Sequence, residues 1–193
     1  MREVTATEIL DPTAYAGLRE AFREQIIEYK RSRRVELGPK LTFVFENRRT
    51  VRWQIQEMVY VERIVDPDAL AAEVAVYNEL IPKAGELSAT LMIEIPEASK
   101  IRPELDRLIG IDENVFLDVG ERRIQATFDA KQFEADRISA VQYVRFPLGP
   151  GLAERFADPR VIAALRVEHP EYRARTELSG GVRASLTEDL ELS

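Results

Sequence analysis

The sequence predicts an α+β fold, a mixed and largely antiparallel sheet packed with N-terminal helices. Helical patterns come first along the chain and short β-rich runs dominate its second half. Asp11-Pro12, Asp66-Pro67 and Asp158-Pro159 each set an N-cap before a proline at the first helical position. Two β-rich runs, 115–119 and 123–128, flank Gly120-Glu121-Arg122, which reads as a hairpin and hence as antiparallel pairing.

Taken in chain order, the first helix is predicted over 12–33, with Ala14, Tyr15, Leu18, Ala21, Phe22, Ile26 and Tyr29 as its core stripe. A strand over 41–45 precedes a second helix capped by Asn47 and running to about residue 65. The third helix spans 67–80 and is closed by Pro82. A strand follows over 87–95, then a short helix over 101–109 with Pro103 in its first turn and Gly110 at its end. After the hairpin come a strand over 140–146, a turn at Gly149-Pro150-Gly151, a short helix over 159–165 and strand character over 164–168. Ser179-Gly180-Gly181 sets off a last helix over 182–190, so residues 1–178 read as one domain and 179–193 as a helical tail for this domain or a second subunit.

A chain of 193 residues that is 45% hydrophobic can bury a real core. Its net charge of −7 argues against a general nucleic-acid binder, because phosphate affinity rests on clustered Lys and Arg. The run Lys30-Arg31-Ser32-Arg33-Arg34 alone does not offset that acidity. With no cysteine, disulfides, thiolate zinc sites, cysteine-ligated iron–sulfur clusters and a cysteine nucleophile are all excluded. Residues 1–10 show no secretory signal and no run is long enough to cross a bilayer, so the expected location is the cytoplasm.

The second helix carries the most informative pattern. At about 100° per residue, Val51, Ile55, Met58, Val59, Val61 and Val65 share one apolar face, with Trp53, Tyr60 and Ile64 nearly opposite. Arg49, Arg52, Gln56 and Arg63 are left as the solvent-facing wedge. Thr50, Gln54 and Glu57 run beside the apolar face and Glu62 falls near its middle. A buried carboxylate needs a partner, a proton or a metal. One reading gives Trp53, Gln54 and Glu57 to a ligand pocket with Glu62 as an anchor; the plainer one gives these groups to internal hydrogen bonds and ion pairs.

Arg19, Arg23, Lys30 and Arg34 are sorted onto one flank at the first helix, a candidate docking surface for a partner or simply a solvated face. His169, the lone histidine, precedes Pro170 at a turn and is, with Glu57, a weak candidate for acid–base catalysis; most lone histidines are structural. It rules out multi-histidine metal sites but leaves carboxylate ligation of a divalent cation open. No cofactor is indicated within the chain, and no phosphate loop or nucleophile elbow occurs.

Phe45-Glu46-Asn47-Arg48, Gln54-Ile55-Gln56-Glu57-Met58, Tyr77-Asn78-Glu79-Leu80-Ile81-Pro82, Ala89-Thr90-Leu91-Met92-Ile93-Glu94 and His169-Pro170 stand in this order across nearly the whole chain. Together they resemble a bacterial family known as domain of unknown function 3501. The resemblance carries no reaction and no catalytic residues. It implies a redox or oxidative-stress setting, with genes near those of rubrerythrin-like and iron–sulfur oxidoreductase proteins, and any metal centre in the partner. The sequence thus leads to an accessory or binding component of such a system, against two alternatives: a small-molecule enzyme or sensor around Gln54 and Glu57, and a carboxylate-bound divalent metal protein.

Overall fold

The structure is a computed structural model that describes residues 1–129, 133–134 and 137–191. Helices α1 (Pro12–Ala16) and α2 (Arg19–Arg31) lead to strands β1 (Arg34–Leu37) and β2 (Leu41–Glu46). Helices α3 (Arg48–Glu62) and α4 (Pro67–Asn78) follow, then strand β3 (Glu86–Ile93), helix α5 (Ile101–Arg107), and strands β4 (Val115–Val119), β5 (Arg122–Gln125) and β6 (Thr127–Phe128). The chain continues through β7 (Phe133–Glu134), β8 (Arg137–Ile138), β9 (Val141–Pro147), α6 (Gly149–Ala157), β10 (Ala163–His169), β11 (Tyr172–Glu177) and α7 (Gly180–Glu191). It is an α+β fold with antiparallel pairing throughout the described strands. No described helix is long and apolar enough to cross a membrane.

One sheet has the order β1-β2-β3-β9-β6, a second has β11-β10-β4-β5, and β7 pairs with β8 alone. The strand passing through Ala126 changes sheets: β5 pairs with β4, β6 pairs with β9, and the buried Ala126 between them donates its N–H to Val115 O at 2.9 Å. At the opposite edge, Thr176 Oγ1 donates to Glu36 O at 2.8 Å. The Tyr172 hydroxyl donates to Leu37 O at 2.7 Å and accepts from the Lys40 N–H at 3.1 Å. The sheets therefore wrap one core, in which Leu41, Phe43, Phe45, Leu91 and Phe146 meet Val115, Leu117, Leu165 and Val167.

Every residue of β2 is buried because the strand is covered on both faces. Leu41, Phe43 and Phe45 point into the core by alternation, while Thr42, Val44 and Glu46 turn outward under the helices. There Val51, Ile55 and Val59 of α3 pack with Val74, Leu80 and Ile81 and with Val4 and Ile9 from the N-terminal segment. Each such aliphatic side chain contributes about 2 kcal/mol by leaving water.

Several sequence expectations are corrected. The first helix is two: α1 ends at Gly17, Leu18 is left exposed in the break, and α2 stops at Arg31. Tertiary pairing then recruits Arg34–Leu37 into β1 although the run is short and polar at alternate positions. Gly149-Pro150-Gly151 opens α6 instead of only turning the chain. The helix expected over 159–165 does not form, because Val161 N–H closes a turn onto Asp158 O and the chain extends into β10, which is paired on both edges. α7 docks on its own domain, with Leu186 and Leu190 in the main core.

Candidate binding cleft

Two neighbouring residues organise the region where α2, α3 and α7 meet. Asn47 caps α3, its Oδ1 accepting from the N–H groups of Arg49 at 3.0 Å and Thr50 at 3.2 Å. Its Nδ2 donates to the Tyr29 hydroxyl at 2.7 Å and to Asp189 Oδ1 at 2.9 Å. The buried Glu46 accepts from the hydroxyls of Thr50 and Thr90. Asp189 also takes the Nη2 donor of Arg33, whose Nε donates to Phe45 O at 2.8 Å and whose Nη1 donates to Ser185 Oγ at 2.9 Å. Burial pushes the Asp189 carboxyl above its ordinary range, while Arg33 and Asn47 pull the other way. α3, β2 and α7 are thereby tied into one polar network.

Over this network lies an open cleft of about 520 Å³. α2 lines it with Phe22, Gln25, Ile26 and Tyr29; α3 with Asn47, Arg48, Arg49, Arg52, Trp53 and Gln56; α7 with Glu188 and Asp189. Met1 and Arg2 close one side. The Arg49 guanidinium lies 4.2 Å from the centre of the Tyr29 ring, and among the described residues it meets no carboxylate at ion-pair distance. Arg52 spends Nε and Nη2 on Glu8 O, at 3.3 and 3.1 Å. Arg48 pairs with Glu8 through Nη2 and holds that carboxyl down at about 2, yet its buried Nε has no partner among the described residues.

The structure separates the residues nominated from sequence. Trp53 lines the cleft; Gln54, Glu57 and Glu62 do not. Glu57 accepts from the Tyr15 hydroxyl at 2.7 Å and from Arg19, Nη2 at 2.8 Å and Nε at 3.1 Å. Burial works to raise its carboxyl, but Arg19 and Tyr15 outweigh that and leave it lowered. Burial and the Glu57 charge together raise the Tyr15 phenol. The acid is thus held in an internal pair, as the plainer reading has it. Glu62 is exposed, which corrects the inward orientation expected for it. Arg63 ends α3 in the left-handed region at φ 53°, so the apolar face stops short of Val65, which is 80% exposed, and Val61 is exposed as well.

Of Arg19, Arg23, Lys30 and Arg34, expected on one flank, the first three share α2 and Arg34 does not. Arg19 is committed to Glu57, Arg23 is exposed, and Arg34 lies on β1 with Glu94 at 2.8 Å. Lys30 sits 4.7 Å from the Trp53 ring centre, with burial lowering its ammonium. His169 is buried and used twice by the backbone: Nε2 donates to Ile109 O at 2.9 Å, and Nδ1 accepts from the Glu171 N–H at 3.2 Å, which fixes the neutral tautomer by its partners. No group of three or more acidic or histidine side chains that could hold a metal comes together among the described residues.

The profile of a family described as Protein of unknown function (DUF3501) matches residues 3–190. The chain belongs to that family. It is also similar to the crystal structure, at 1.90 Å resolution, of a novel protein of unknown function from Burkholderia pseudomallei. The two are 33% identical, the match covers 98% of this chain and 100% of the other, and the TM-score is 0.91. No curated protein matches.

The cleft arginines of this DUF3501 chain carry a sequence signal of their own. Arg48, Arg49 and Arg52 occupy the start of α3 with no acidic residue in its first turn, the reverse of what the helix dipole favours. Such placements in the first turn cost an isolated helix about 0.3–1 kcal/mol each, and Arg52, at the fifth position, lies past it. The negative charge at this helix N-terminus comes from Glu46 and Asp189 at the cap and from Glu8 beside Arg48.

Proposed function

We propose that this protein is an accessory binding component of a bacterial redox or oxidative-stress system, acting in the cytoplasm, and that the cleft between α2, α3 and α7 is its binding site. The observation that carries the binding role is the cleft: guanidinium donors remain unused beside three aromatic rings. The redox setting, with a rubrerythrin-like or iron–sulfur partner, rests on what the family resemblance implies. The enzyme or sensor reading around Gln54 and Glu57 has less support, because Glu57 is spent on Arg19 and Tyr15.

A thermal-shift screen over organic acids, nucleotides, quinones, amines and divalent metals tests the binding role. A ligand at about 100 times its Kd stabilises the native state by about 2.7 kcal/mol, which raises the melting temperature by several degrees. A member of the panel is expected to do so and to perturb Trp53. A panel that leaves both unchanged argues against this role. The redox setting is tested separately, by adding the purified chain to a rubrerythrin-like protein from the same host: an unchanged peroxidase rate and no complex on gel filtration count against it.

A further inference from the structure

We infer that the ligand of this cleft is a small oxyanion, a carboxylate or phosphate, carried on a flat apolar body. This rests on the cleft being the binding site. The charge requirement follows from the donors. Arg49 presents a whole guanidinium fork, pre-oriented by stacking on Tyr29. Arg52 binds Glu8 O through Nε and Nη2 and, among the described residues, leaves Nη1 without a partner. Arg48 keeps a buried Nε with no partner among the described residues. A planar fork suits two-pronged recognition of a carboxylate or phosphate.

The flat body follows from the walls. Phe22, Tyr29 and Trp53 line the same cleft, so a ring anchored at the arginines would meet aromatic walls, in part through ring edges because Arg49 lies over Tyr29 and Lys30 over Trp53. Glu188, exposed at the α7 rim, opposes a second negative charge at that end, which favours a ligand charged at one end only. Inorganic phosphate satisfies the donors but leaves the aromatic walls in water.

The full chain is titrated calorimetrically with 2-naphthoate, naphthyl phosphate, 2-naphthamide, 2-naphthylmethylamine and inorganic phosphate. Binding is located by the indole N–H resonance of Trp53, the single tryptophan of the chain. The expected result is that naphthoate or naphthyl phosphate binds at least about tenfold more tightly than the amide, the amine and inorganic phosphate, and shifts that resonance. The two anions distinguish a carboxylate from a phosphate. Arg49→Met, at an exposed side chain, should erase most of the preference for the anion over the amide.

Equal affinity of naphthoate and naphthamide overturns the inference. So does an unchanged anion preference in Arg49→Met, inorganic phosphate binding as tightly as the naphthyl anions, or binding that leaves Trp53 unmoved. Silence from both naphthyl anions overturns the ligand class alone; a neutral, cationic or metal hit in the thermal-shift screen would keep the binding role standing.

Discussion

Arg33 and Asp189, 156 residues apart in sequence, meet as an ion pair in which the two side chains are 0% and 4% exposed. The pair joins the end of α2 to α7 and adjoins the Asn47 cap of α3. Buried pairs of this kind gain little over a well-packed apolar pair, but breaking one strands a charge. We expect Asp189→Ala to cost about 3–5 kcal/mol and lower the melting temperature by roughly 10 °C. The double variant Arg33→Met/Asp189→Leu should recover a large part of that loss. Urea denaturation of the three proteins checks this, and a double variant as unstable as the single one would contradict it.

Glu57 makes acid sensitivity readable. Its carboxyl is lowered in the folded chain by Arg19 and Tyr15 against the opposing pull of burial, so the unfolded chain binds the proton more readily. The stabilisation is therefore complete above the ordinary glutamate range near about 4.3 and is lost as pH falls through the lowered folded value. Glu57→Gln should cost about 2 kcal/mol at pH 7, with the gap to the parent protein closing in acid. Unfolding free energies measured from pH 7 down to pH 3 test this; a gap that is constant or widens toward low pH would refute it.

Gly38 sits at φ +69°, and a Cβ placed there would clash with the Tyr172 hydroxyl oxygen. That hydroxyl bonds both sides of the β1–β2 turn, so Gly38→Ala combines backbone strain with loss of the seam between β1 and β11. We expect a loss of about 2–4 kcal/mol. Gly149→Ala, at φ +67° with open space around its Cβ, should cost only about 1 kcal/mol. Hydrogen exchange of β11 amides should rise in the first variant and not in the second.

His169 serves the backbone with both ring nitrogens and does not line the cleft. His169→Ala should therefore cost about 1–3 kcal/mol of stability, through an unsatisfied Ile109 carbonyl and Glu171 N–H, without altering the affinity of any cleft ligand. Loss of ligand binding in a folded His169→Ala protein would reopen a functional role for it.

Much of the fold was legible because its strongest signals are local. Asn47 and Asp66 cap helices where their side chains predict, and Val115–Val119 matches its alternating pattern residue for residue. β1 and β11 were missed because short, charged strands owe their existence to neighbours in the sheet. In α3 the apolar face was read one turn too far, through Val61 and Val65, because nothing in the side-chain pattern announces that Arg63 turns left-handed. That error carried Glu62 inward; of the expected solvent wedge Arg49 and Arg63 are exposed, Arg52 is half-buried and Gln56 is buried, with Arg49, Arg52 and Gln56 lining the cleft. Trp53, nominated from the sequence beside Gln54 and Glu57, lines the cleft without them. Glu188 and Asp189 lay beyond sequence reasoning, since their part in the site depends on where α7 docks.

The dependence of the cleft on α7 sets a time of birth for the site. Residues 180–191 are translated after every strand and after the other two walls, so on the ribosome the arginines of α3 face open water until the C-terminal segment emerges. A protease that trims this segment would take Glu188 and Asp189 from the cleft and strand the Arg33 charge without cutting into either sheet.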